Sequence, residues 1–141
     1  MTINFIALSM GAIVAAVVII SLKRLEKQKT TWVYPLILAT LPVYYWAFAI
    51  YAFNYDALLN EVLIGTLFIA AAMLSYRFLS TSGQLTLGIA FIIHALYDIA
   101  HVTLGSHDIA PTWWPEFCGA IDLLIGIYLL WSIKYGLLIK E

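Results

Sequence analysis

Long apolar stretches alternate with short polar breaks along the whole chain. A transmembrane helix needs about 20 mostly apolar residues, and five stretches of the sequence meet this requirement. A chain of this length leaves no room for a separate soluble module, so the pattern predicts one transmembrane domain over residues 1–141. The expected fold is all-α, a polytopic five-helix transmembrane bundle. The predicted helices cover residues 3–22, 32–53, 58–76, 85–104 and 117–133.

Composition strengthens the assignment to a membrane. Charged residues make up 11% of the chain, whereas a soluble domain carries about 25%. The mean hydropathy is +0.96. The net charge of -1 and the lack of a basic tract predict no nucleic-acid partner, and membrane lipids are the expected surroundings. The single cysteine, Cys118, excludes an internal disulfide and any CxxC motif.

Basic residues predict how the bundle is oriented in the membrane. Four lie between residues 23 and 29, Arg77 ends the third helix, and Lys134 and Lys140 follow the fifth. With five spans all of them fall on one side, and cytoplasmic loops collect Lys and Arg. We therefore expect an external N-terminus and a cytoplasmic C-terminus. Because "MTIN" carries no positive charge and "KRLEKQK" follows the apolar run, the first helix is not expected to be a cleaved signal peptide.

The segment "HALYDIAH", residues 94–101, places three ionisable groups within two turns of the fourth helix. At about 100° per residue, Asp98 lies about 40° from His94, and His101 lies about 20° to the other side. This stripe is expected to face the bundle interior, because lipid would make each polar group costly. Asp122 on the antiparallel fifth helix lies at a matching depth, about 9 Å from the outer end. The two carboxylates are therefore expected to meet across the helix pair.

Imidazole and carboxylate groups in this arrangement suit zinc, iron or manganese. Two carboxylates in a low dielectric repel each other, so they need a proton, a metal ion or a cationic histidine between them. We predict that the stripe and the facing helix bind one divalent metal ion whose identity the pattern leaves open. The predicted metal ligands are His94, Asp98, His101 and Asp122. The predicted proton-moving residues around the site are Glu61, Glu116 and His107.

The leading functional interpretation is a membrane-embedded, metal-dependent enzyme that acts on a lipid or another small apolar substrate, with hydrolysis as the default reaction. The second is a divalent-cation or proton binding and transport protein, which would favour a homo-oligomer. Further alternatives are a metal-free acid/base isomerase and a structural accessory subunit. In that last case a His–Asp hydrogen bond worth about 1 kcal/mol or less would only set the helix register. Inward of His94 the fourth helix offers only Thr86 and Gln84, which favours an enzyme or binding site over a conduit.

Aromatic residues crowd the second helix in "PVYYWAFAIYAFNYD", residues 42–56. We interpret them as packing or interface residues that mark where a hydrophobic ligand fits. Tyr97 is expected to point away from the His/Asp stripe. Cys118 shares a face with Asp122, and we interpret it as a small packing residue.

The last third of the chain carries "HALYDIAH", then "PTWWPEFC", then an aspartate. From residue 94 to about residue 130 it resembles an uncharacterised family of small bacterial integral membrane proteins. The resemblance implies no activity. It implies a location in the bacterial inner (cytoplasmic) membrane, which the short loops also favour, and a single shared site. The residues that it groups are His94, Asp98, His101, Pro111, Trp113, Pro115, Phe117, Cys118 and Asp122.

Overall fold

The computed structural model describes residues 3–24, 27–78, 80–104 and 109–135. Regular structure within these ranges consists of α-helices, five of which are long and apolar enough to cross a membrane. The predicted all-α architecture with five candidate spans is therefore confirmed. The helices are α1 Phe5–Arg24, α2 Lys27–Tyr51, α3 Tyr55–Arg77, α4 Thr81–Leu104 and α5 Trp114–Lys134.

Local capping explains where several helix ends differ from the predicted ones. Helix α3 starts at Tyr55 rather than at residue 58, because the Asn54 side chain accepts a 3.0 Å hydrogen bond from the Ala57 amide. Helix α5 starts at Trp114 rather than at residue 117, with Pro115 in its first turn, where no amide hydrogen is needed. Helix α2 ends early because Phe53 turns the chain with a φ of 52°.

Helix α4 is the central element of the bundle. It packs against α5 along most of its length, against α3, and against part of α2. Helix α2 packs on α3, and α1 lies mainly against α5. The described backbones of α3 and α5 do not approach each other closely, whereas both helices pack on α4. Side chains that sequence reasoning placed on helices three, four and five can therefore meet around α4.

Glycines allow the closest helix approaches. A methyl group added at Gly126 would lie 2.9 Å from the carbonyl oxygen of Gly88, so α4 and α5 touch through their backbones. Gly11 of α1 faces the backbone of Phe117 in α5 in the same way. Gly65 lets Pro42 and the second helix approach α3, with 2.6 Å between Pro42 Cβ and an added methyl. Small residues at such positions are typical of helix contacts inside membranes.

The described basic residues lie at one end of the bundle. Helices α1, α3 and α5 run parallel to one another, and each ends in Lys or Arg. At this end the Lys23 ammonium lies 4.9 Å from the centre of the Tyr128 ring. Nearby, the Gln84 amide donates hydrogen bonds to Ser132 Oγ and to the Leu129 carbonyl, which joins α4 to α5. The side of the membrane that this end faces stays a prediction.

Candidate metal centre

Three buried side chains from α4 and α5 meet inside the bundle. His94 and Asp98 lie one turn apart on α4, and Asp122 faces them from the antiparallel α5. One ligand atom of each residue lies within 4.8 Å of the others. None of the three residues is more than 1% exposed. The structure thus brings together three of the four residues that were predicted as metal ligands.

One nitrogen of the His94 imidazole faces both carboxylates. This atom, Nδ1, is 2.8 Å from Asp122 Oδ2, a hydrogen-bond distance. The same nitrogen is 3.6 Å from Asp98 Oδ2. The Phe68 ring of α3 packs edge-on against the imidazole, with 4.6 Å between the ring centres. The imidazole is therefore bordered by an aromatic ring and two acidic groups.

Each carboxylate keeps one oxygen without a hydrogen bond. These atoms are Asp98 Oδ2 and Asp122 Oδ1, and both are buried. Buried polar atoms in folded proteins nearly always have a partner. Two carboxylates also exceed what one imidazole can neutralise, even as a cation. The arrangement therefore has both the unpaired oxygen atoms and the negative charge that a bound cation or an additional proton would satisfy.

Helix α2 adds a residue that sequence reasoning assigned to packing. The Tyr45 hydroxyl donates a 2.7 Å hydrogen bond to Asp98 Oδ1. Tyr45 shares a buried face of α2 with Leu38, Leu41 and Ala49. This helical spacing is a signal that could have identified it, because a tyrosine on an interior face needs a partner for its hydroxyl.

His101 lies apart from the three-residue group and faces α3 instead. Its Nε2 atom is 3.2 Å from Glu61 Oε1, an ion-pair distance without the alignment of a hydrogen bond. The other oxygen of Glu61 accepts a 2.8 Å hydrogen bond from the Tyr97 hydroxyl. We expected Tyr97 to point away from the His/Asp stripe, but it faces α3 together with His101. About 40° of helix rotation separates Tyr97 from His101, whereas Asp98 lies about 60° from His101 on the other side.

The remaining candidates lie nearer the start of α5. Glu116 lies in the first turn of that helix. Its Oε1 atom accepts a long 3.4 Å hydrogen bond from the backbone amide of Asn4. Its Oε2 atom is buried without a hydrogen bond. Cys118 is a buried, unpaired thiol within the apolar core. His107, the third predicted proton-moving residue, lies outside the described residues.

Comparisons with known proteins do not assign the chain to a family. No family model, curated protein or solved structure matches it. The resemblance to small bacterial membrane proteins therefore stays a prediction. His94, Asp98, Asp122 and the side chains around them are therefore the features from which a function can be inferred.

Proposed function

We propose that His94, Asp98 and Asp122 bind one divalent metal ion, and that the protein is a membrane-embedded, metal-dependent enzyme. One observation carries the proposal. Two fully buried carboxylates approach the same nitrogen of one imidazole, and each keeps an oxygen atom without a hydrogen bond. A dication, two carboxylates and a neutral imidazole sum to zero charge, which is the condition for placing them in a low-dielectric interior.

The spacing of the ligand atoms fits a metal ion after small movements. Zinc binds histidine nitrogen and carboxylate oxygen at about 2.0–2.2 Å in a tetrahedral arrangement, so two of its ligand atoms lie about 3.4 Å apart. The ligand atoms here lie within 4.8 Å of one another. Nitrogen and oxygen ligands suit zinc, iron and manganese, and we propose one of these as the cofactor. Three protein ligands leave open coordination positions, as a catalytic site requires.

The surroundings support chemistry on an apolar substrate. A divalent ion in this position would polarise a substrate oxygen and activate water. Glu61 and His101 form a second acid–base pair beside the proposed ligands, and we propose that this pair moves protons. Large apolar side chains cover the outside of the helices, so a substrate that arrives through the bilayer is a lipid or a small apolar molecule. Hydrolysis is the reaction that we propose to test first.

The end of the bundle where the described basic residues lie favours an enzyme over a transporter. Gln84 and Ser132 are buried there and hydrogen-bond to each other. Buried apolar side chains separate this pair from His94, among them Phe91 and Ile125. A transporter needs polar groups that continue across the membrane. We further propose a location in the bacterial inner membrane, whereas a homo-oligomer would belong to the transport alternative.

Metal content tests the first half of the proposal. Full-length protein, purified in detergent without chelators, is analysed by mass spectrometry for zinc, iron and manganese. We expect about one metal ion per chain, and its loss in Asp98→Asn and Asp122→Asn, which keep the side-chain size. Asp56→Asn is the matched control, because Asp56 is an exposed acidic residue in the first turn of α3. A wild-type protein that holds no metal, even after reloading with each ion, contradicts the proposal.

Lipid turnover tests the second half. Metal-loaded protein is incubated in mixed micelles with a total bacterial lipid extract, and the products are followed by mass spectrometry. We expect new products with wild-type protein and none with Asp122→Asn. A metal-loaded protein that converts no lipid should be assayed in liposomes with an entrapped metal-sensitive dye. Metal uptake in that assay would replace the enzyme proposal with the transport alternative.

A further inference from the structure

We propose that Tyr45 positions the Asp98 carboxylate in the metal centre and that the ring of His101 holds the Tyr45 hydroxyl in place. The inference rests on the proposed metal binding by His94, Asp98 and Asp122. His101 then has a different role from the predicted one, because it supports Tyr45 and does not bind the metal ion.

The first observation is the way in which Tyr45 divides the two oxygens of Asp98. The Tyr45 hydroxyl donates a 2.7 Å hydrogen bond to Oδ1. The other oxygen, Oδ2, is the one that lies 3.6 Å from His94 Nδ1 and has no hydrogen bond. The carboxylate of an aspartate rotates easily about the Cβ–Cγ bond unless a hydrogen bond holds one of its oxygen atoms. Tyr45 therefore holds the carboxylate with Oδ2 turned toward the other proposed ligands.

The second observation is that the phenol ring is itself fixed. Tyr45 is 1% exposed. Its ring stacks on the His101 ring with 4.5 Å between centres and an interplanar angle of 11°. The edges of Phe48 and Tyr97 pack around it, with ring centres 6.3 Å and 6.0 Å away. The stack on one face and the contacts with two further rings restrict the movement of the phenol ring, which keeps the hydroxyl at Asp98.

The third observation links this stack to α3. His101 Nε2 lies 3.2 Å from Glu61 Oε1, which holds the imidazole on the side away from the metal centre. A continuous set of contacts thus runs from Glu61 through His101 and Tyr45 to Asp98. It joins α3, α4 and α2 to a centre whose ligands come from α4 and α5. Residues that orient metal ligands in this way typically change metal affinity 10–100-fold when they are lost.

Tyr97 provides a matched control. Its hydroxyl also donates to a buried carboxylate, that of Glu61, at 2.8 Å. Glu61 is not among the three proposed ligands. Tyr45→Phe and Tyr97→Phe therefore remove the same chemical group and the same kind of hydrogen bond, and only the first of them acts on a ligand.

The test is a metal titration of full-length protein in detergent, with a chelating dye as competitor for zinc and with visible absorption for cobalt(II). We expect Tyr45→Phe to bind zinc about 10–100-fold more weakly than wild type and to alter the cobalt spectrum. Tyr97→Phe should keep wild-type affinity and spectrum. His101→Phe keeps a flat ring and loses only the contact with Glu61, so it should bind metal more tightly than His101→Ala, which removes the stack as well.

The outcomes separate this inference from the proposed function. Equal affinities for wild type and Tyr45→Phe would overturn the inference and leave the metal site standing. A loss in His101→Phe as large as in His94→Ala would make His101 a ligand and would also overturn it. Equal losses in Tyr45→Phe and Tyr97→Phe would do the same. If wild-type protein binds no metal, both proposals fall. The His101 pair keeps the test decisive even if Tyr45→Phe does not fold.

Discussion

Replacing Gly126 by alanine tests how closely α4 and α5 must approach for the candidate metal centre to form. The added methyl group would lie 2.8 Å from Ile92 Cγ1, 2.9 Å from the Gly88 carbonyl oxygen and 3.2 Å from the Ile92 amide nitrogen. Two of these three atoms belong to the backbone of α4, so a side-chain rotation cannot relieve the contact. The helices must separate by about 0.5 Å to restore ordinary van der Waals distances.

The expected cost follows from two opposing effects. Overpacking a close interface costs about 1–3 kcal/mol, and alanine in place of glycine in a helix returns about 1 kcal/mol. Because backbone atoms are involved, we expect Gly126→Ala to lose about 1–2 kcal/mol net. Gly119→Ala is the control, since its methyl group would meet Ala95 O and Asp98 Cβ at an ordinary 3.6 Å. That variant should gain up to about 1 kcal/mol from helix propensity.

Both variants are compared with wild type by thermal unfolding in the same detergent and without metal. The unfolding midpoint should fall for Gly126→Ala and stay equal or rise for Gly119→Ala. Metal affinity should also fall for Gly126→Ala, because separation of the helices lengthens the 2.8 Å contact between His94 and Asp122. A Gly126→Ala protein as stable as Gly119→Ala would refute the close backbone contact from which this reasoning starts.

Three further predictions concern the ends of the helices and the metal centre. Asn54→Ala removes the cap of α3 and should lower the free energy of unfolding by about 1 kcal/mol, whereas Asn60→Ala on the exposed face of the same helix should not; unfolding curves that coincide would contradict the cap. Gln84→Leu loses two hydrogen bonds, to the Leu129 carbonyl and to Ser132 Oγ, and should cost about 1–3 kcal/mol, because Ser132 keeps its own bond to the Leu129 carbonyl; an unchanged stability would contradict these two bonds. Metal added at 100 times its dissociation constant should stabilise wild-type protein by about 2.7 kcal/mol, and a similar rise in the midpoint of Asp122→Asn would place the metal elsewhere.

The helices and part of the site follow from local pattern. Apolar runs of membrane length identify the five helices, since a helix satisfies its backbone polar groups within one segment, as lipid requires. The spacing between His94 and Asp98 places them on one face of α4. The matching depth of Asp122 brings it to that face, because antiparallel neighbours keep equal distances from the membrane surface. These inferences need only helical geometry and a short connection.

The remaining contacts depend on which helix covers which face of α4. Around the axis of α4, Tyr97 and His101 lie on one side of His94. Asp98 lies on the other side of His94. Helix α3 covers the first side, so His101 meets Glu61, and α5 and α2 cover the second. Hydrophobic periodicity does not distinguish these neighbours, because apolar residues predominate on each face of α4 that packs on a helix. The role of Tyr45 comes from α2, which adjoins α4 over only a short stretch.

The antiparallel pairing of α4 and α5 has a consequence for biogenesis. An aspartate opposes insertion of a helix into a bilayer, by about 2.5–3.5 kcal/mol at the helix centre and by less toward the ends. Asp122 lies near the centre of α5, and Asp98 lies between the centre and the end of α4. His94 contacts both carboxylates only when the two helices lie side by side. We therefore expect α4 and α5 to leave the translocation channel as a hairpin, in which each helix brings the polar partner that the other needs inside the bilayer.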